Sequence, residues 1–208
     1  LFDHKSFSLG SVVRFLSFIA NSPIYYLSPF LLINGYGLSS SKTGIYILPG
    51  PLMMAISGPF AGKLSDKMGS YFPRIAGAMC LSISVSLYLF ATILNKEFVM
   101  VAYAFQGLGM GIFGTANTSY IFTSVKENNY GSVNAFLTLT RTSGNIIGIS
   151  ISTALVLVFL SLSNNELNNV DPDTISYISS ISKAFILPTL LSIITFILTI
   201  SLKDEKKI

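Results

Sequence analysis

Arg14, Ser17, Asn21, Tyr25 and Ser28 follow one another at spacings of three and four inside a long apolar run. On a helix that spacing puts them on one face. Tyr103, Gln106, Met110, Phe113 and Asn117 repeat the arrangement in a later run. Polar groups that face lipid are costly, so such stripes turn toward a protein-lined or watery interior. Amides mixed with aromatic rings suit a small-molecule cavity. Asn21, Tyr25, Gln106, Met110, Phe113 and Asn117 are therefore the expected walls of a substrate cavity. The competing use of the same side chains is hydrogen bonding between helices, worth about 0.6 kcal/mol per contact on average.

Arg141 is the sharpest embedded charge. A central Arg costs about 2.5–3.5 kcal/mol on insertion scales, so it either snorkels to the membrane surface or faces a partner or substrate. Arg14 lies nearer the edge of its run and is expected to snorkel. Enzyme constellations are missing: there is no G-x-x-x-x-G-K-[ST], no H-E-x-x-H and no G-x-S-x-G. No enzyme activity, cofactor or metal is expected, and the chain by itself is not an ATP-driven pump. Cys80 stands alone, so no disulfide can form within the chain; it reads as a small buried hydrophobe.

These residues must be positioned by membrane-crossing elements. Hydrophobic residues make up 51% of the chain and charged ones 11%, with a mean hydropathy of +0.65. A soluble domain carries about 25% charged residues. Runs of about 20 apolar residues cross a hydrocarbon core, and six occur, at roughly 8–33, 42–62, 72–94, 98–121, 133–160 and 179–202. None shows the ten-residue alternation of a β-barrel, so the expected fold is an all-α membrane protein, a six-transmembrane-helix bundle. No Asp, Glu or His lies in any of these runs. Pro23, Pro29, Pro49, Pro51, Pro59 and Pro188 fall within them as tolerated kinks.

The net charge of +4 and pI near 9.1 do not point to nucleic acid, because the basic residues are scattered over loops and ends. Lys5, Lys63, Lys67, Arg74, Lys126, Lys203, Lys206 and Lys207 fall on one side of the alternating spans; Lys42, Lys96 and Lys183 fall on the other. The richer side is cytoplasmic by the positive-inside rule, which places both termini there and makes 161–177 an external loop. Gly58 and Gly62, Gly107 and Gly111, and Gly144 and Gly148 form small-x-x-x-small pairs suited to close helix contact. The chain starts at Leu1 with no signal pattern ahead of the first span and is expected to be a fragment.

The stretch Gly62-Lys63-Leu64-Ser65-Asp66-Lys67-Met68-Gly69 resembles the signature loop of the major facilitator superfamily, G-x-L-x-D-[RK]-x-G-[RK], which lies between the second and third helices of a six-helix half. Phe105–Gly111 is similar to that family's Q-G-x-G segment. Thr140–Gly148 is similar to the R-x-x-G-x-x-x-G segment of fourteen-span drug:proton antiporters. Ser70 departs from the pattern where a basic residue is usual; the next one is Arg74. The resemblance covers the chain as a C-terminal half and implies two six-helix halves rocking around a central site. It makes Gly62, Asp66, Lys67, Gly69 and Arg74 a gating loop, with Asp66 accepting hydrogen bonds from a helix N-terminus. It implies proton-coupled efflux of amphipathic, often cationic, drug-like compounds across the cell membrane. Carriers of sugars, siderophores or metabolites share the architecture, and a non-transporting membrane scaffold stays open as well. The expected partners are membrane lipid, the missing N-terminal half, a small-molecule substrate and protons.

Overall fold

An apolar segment in lipid must satisfy its backbone hydrogen bonds internally, which makes each long run a helix. The structure, a computed structural model, describes residues 5–91, 94–166 and 174–202. Its α-helices are α1 (Lys5–Phe30), α2 (Ser40–Ile47), α3 (Pro49–Met68), α4 (Tyr71–Leu87), α5 (Phe98–Thr123), α6 (Tyr130–Glu166), α7 (Thr174–Ala184) and α8 (Ile186–Ser201). They build six stretches long and apolar enough to cross a membrane. Two of these are broken helices: α2 runs into α3 at Leu48, with Pro49 at the first helical position, and α7 into α8 at Phe185. α1 ends in a π-helical turn, Leu31–Gly35, just past Pro29.

Two boundaries differ from the sequence expectation. The charged stretch 62–74 is not a loop. α3 continues to Met68 and α4 begins at Tyr71, so only Gly69 and Ser70 connect them. Hydropathy falls at Gly62, but an established helix gains a hydrogen bond for each added residue and propagates past the apolar boundary. It stops at Gly69, whose φ of 84° favours a residue without a side chain. Likewise α6 continues to Glu166 and α7 starts at Thr174, so the expected external loop 161–177 is helical at both ends. Asp171 and Asp173 lie outside the described residues.

In lipid, helices associate through close van der Waals contact, and glycines set where. α5 packs between α3 and α4, while α1 packs against α6 and α8. A Cβ added to Gly107 would overlap the Gly50 carbonyl oxygen of α3, and one on Gly109 would stand 2.8 Å from the Leu81 amide nitrogen of α4. Gly148 similarly admits the Ile19 carbonyl oxygen of α1. By contrast, Gly58 and Gly62 meet nothing closer than 3.7 Å, so the first of the three pairs does not mark a tight seam.

Aromatic clusters close both ends of the bundle. At one end Tyr88 stacks on Phe185 at 4.5 Å and meets Phe98 edge-on. There the Tyr36 hydroxyl donates to the carbonyls of Ala91 and Leu94, each at 3.1 Å. Burial, then the nearby Glu97 carboxylate, raises the Tyr36 pKa, which keeps it a donor. At the other end Phe7, Tyr120, Ile121, Val133 and Leu137 pack together, with Leu202 against them.

Gly107→Ala in the full-length protein is expected to lose about 1–3 kcal/mol through overpacking, seen as a lower melting temperature in detergent. Gly114→Ala, where an added Cβ meets nothing within 4 Å, should melt like the parent.

Candidate functional site

Four helices surround a groove of about 580 Å³. α1 contributes Arg14, Phe18, Ser22 and Tyr25, and α5 contributes Met110, Gly111, Gly114 and Thr115. Met54 and Gly58 of α3 and Arg141, Asn145 and Ile149 of α6 complete the lining. Gly114, where an added Cβ would meet nothing within 4 Å, lowers the α5 side of the groove, and the apolar wall is built of aromatic, thioether and aliphatic groups. The Ser22 hydroxyl donates to the Asn145 carbonyl at 3.2 Å and holds α1 against α6.

Only Tyr25 and Met110 of the six expected cavity residues line this groove. Asn21, Gln106, Phe113 and Asn117 are buried between helices instead. Gln106 Nε2 donates to the Asn21 carbonyl at 3.4 Å, and Asn117 Nδ2 donates to the Gly10 carbonyl at 3.2 Å. Asn21 Nδ2 turns back on the Ser17 carbonyl of its own helix at 2.9 Å. The Gln106 and Asn117 amides tie α5 to α1, the competing use of the stripes. The reason is geometric: the buried polar face of each helix lies one step round from the groove face, and polarity alone does not separate them.

Arg14 corrects another expectation. It does not snorkel: its guanidinium donates to Thr118 Oγ1 on α5 at 3.0 Å and lies 5.3 Å from the Phe18 ring centroid. The Thr118 hydroxyl donates its hydrogen bond to the Gly114 carbonyl at 2.6 Å, which leaves its oxygen to accept from Arg14. Arg141 also faces the groove. The sequence signal that finds this wall is the spacing of Arg141, Asn145 and Ile149 at four residues on α6, with Arg14, Phe18, Ser22 and Tyr25 opposite.

The expected gating residues separate into two groups. Asp66 and Lys67 are exposed on the last turn of α3, ahead of Gly69, while Gly62 is half-buried on the same helix. A carboxylate at a helix C-terminus opposes the helix dipole, so Asp66 gains nothing from its own helix. Arg74 is not a loop cation at all. It is fully buried in the first turn of α4, with its guanidinium 3.7 Å from the Tyr120 ring centroid and an N–H donated to the Leu202 carbonyl. Beside it the Tyr71 hydroxyl donates to the Ile200 carbonyl at 3.0 Å. The start of α4 thereby fastens the ends of α5 and α8.

Residues 2–149 match the sequence profile of the Major Facilitator Superfamily. The chain belongs to the major facilitator superfamily. It is 25% identical to the riboflavin transporter RibZ of Clostridioides difficile over 96% of this chain and 43% of that protein. It is 26% identical to the multidrug resistance protein Stp of Mycobacterium tuberculosis over 77% of this chain and 30% of Stp. A shorter match, 32% identical, covers 33% of this chain and 15% of the lincomycin resistance protein LmrB of Listeria monocytogenes. The chain spans less than half the length of each of these relatives. Its helices fit a six-helix half of the major facilitator fold, and it is an integral membrane protein of a transporter family.

Arg74→Leu should lower the melting temperature of the full-length protein by removing the ring contact and the carbonyl hydrogen bond. The ring contact alone is worth about 0.5–2 kcal/mol. Arg74→Lys should recover part of the loss, since an ammonium keeps the charge but not the planar fork.

Proposed function

We propose that these residues form the C-terminal half of a secondary active transporter that expels amphipathic drug-like compounds by alternating access, driven by protons. The observation that carries this reading is the groove between α1, α3, α5 and α6, apolar along its walls and punctuated by a few polar groups. The most apolar stretches of the spans that include α3 and α6 are each only 17% buried, against 67% for the first span. Their free faces flank the groove and suit a second six-helix half closing over it. The multidrug resistance name of one relative favours drug efflux. The riboflavin transporter name of another favours a second reading, a carrier for a metabolite.

Proton coupling needs a membrane-embedded group that titrates, usually a carboxylate whose pKa desolvation has raised. Among the described residues no Asp or Glu lines the groove, and Arg cannot substitute because it stays protonated. The N-terminal half supplies the proton carrier in this reading. Asp66 then works at the cytoplasmic gate, where a helix N-terminus of the other half gives it the favourable dipole that α3 does not.

The test is proton flux in inverted membrane vesicles holding the full-length protein. Drug-stimulated proton movement supports efflux; flux stimulated by a flavin but by no drug supports the metabolite carrier. Absence of both removes the transport reading. Asp66→Asn should slow transport several-fold while expression and substrate binding stay near the parent's. Transport at the parental rate would remove the gate.

Orientation has its own check. With Cys80 replaced, cysteine placed at exposed Lys67 or Asn128 should be shielded from impermeant thiol reagents in intact cells, and at exposed Ser40 it should be labelled. Labelling of the first two from outside would invert the topology.

A further inference from the structure

Among the described residues, the two cations of the groove have no anion to face: Arg14 and Arg141 both line it, and no described carboxylate does. Among the described acids, Asp66, Glu97 and Glu127 stand at or beside helix ends. The positive charges of Arg14 and Arg141 repel each other, since they interact across a partly desolvated space. Arg14 is half-buried and held by Thr118, with its Nε unpartnered, while Arg141 is exposed on the groove and makes no hydrogen bond or ion pair among the described residues. Two like charges at membrane depth are costly unless something of opposite sign sits between them. A guanidinium presents planar paired donors that fit a carboxylate, sulfonate or phosphate. Phe18, Tyr25, Met54 and Met110 beside them offer an apolar surface for the rest of such a molecule, and about 580 Å³ accommodates a drug-sized body.

We propose that this groove selects amphipathic compounds that carry an anionic group, seated between Arg14 and Arg141 with its aromatic or aliphatic part against the wall. The proposal rests on the transport reading and narrows its substrate class away from the cationic compounds that the family resemblance implies. The rival occupant is a carboxylate side chain of the other half. Such a side chain needs no aromatic and thioether wall, and the groove has one.

The experiment uses the purified full-length protein and three probes with one aromatic body: 1-naphthylacetate, 1-naphthylacetamide and 1-naphthylethylammonium. Equilibrium binding should favour the carboxylate at least ten-fold over both others. Arg141→Gln and Arg14→Gln should each bring the three probes to near parity, and Arg141→Lys should keep most of the preference. Equal or tighter binding of the amide or ammonium by the parent overturns the proposal, as does a carboxylate preference that survives both Gln variants. So does a parent without preference whose Arg141→Gln variant simply melts lower, the signature of an ion pair between halves. If the Gln variants do not fold, the order of the three probes on the parent and on Arg141→Lys decides. Gradient-driven flux in proteoliposomes separates the two readings. Preferred carboxylate binding without flux upholds the charge selectivity and removes transport; flux of the ammonium in preference keeps transport and removes the anion.

Discussion

The bundle depends on one helix whose backbone comes almost into contact with two neighbours. Lipid supplies no hydrophobic drive between helices, so attraction comes from atoms at short range, and bulky side chains would hold the axes apart. α5 solves this with glycine on two faces: Gly107 and Gly111 toward α3, Gly109 toward α4. Gly77 of α4 answers by admitting the Phe113 backbone. α6 repeats the device against α1 through Gly144 and Gly148. With α5 fixed between α3 and α4, its remaining face is aimed at α1, and the buried amides of Gln106 and Asn117 join the two helices through the Asn21 and Gly10 carbonyls.

The groove follows from that placement. Once α5 sits deep between its neighbours, Gly114 leaves open space above it, bounded by α1 and the flanking α3 and α6. Arg14 is steadied by Thr118, one turn beyond Gly114 on α5, so the helix that creates the space also orients one of its charges. Polar side chains in this protein therefore fall into two populations. Some join helices and are sealed, whereas others stand in the groove with no described acid beside them.

The six crossings were legible in the sequence because hydropathy and length are enough to specify a lipid-spanning helix. The family was legible in the run from Gly62 to Gly69 and in the glycine segments of α5 and α6. Helix ends were less so: Lys63, Asp66 and Lys67 read as a loop by charge, yet they ride on α3 until Gly69 stops it. The groove was legible only in part. Choosing faces by polarity selected Asn21, Gln106 and Asn117, whose burial serves contact between helices. It passed over Phe18, Ser22 and Thr115, because an apolar or weakly polar lining gives no contrast against a helix that is apolar everywhere. Arg74 was misread for a related reason: its aromatic partner, Tyr120, lies in another span.

The two-residue junction at Gly69 and Ser70 has a mechanical meaning. So short a link leaves α3 and α4 little freedom to slide independently, and Arg74 and Tyr71 at the head of α4 grip the tail of α8. α3, α4 and α8 therefore form a single linkage at that end of the bundle. A push delivered at the tip of α3 has one two-residue joint and the Tyr71 and Arg74 contacts to cross before it reaches the last turn of α8.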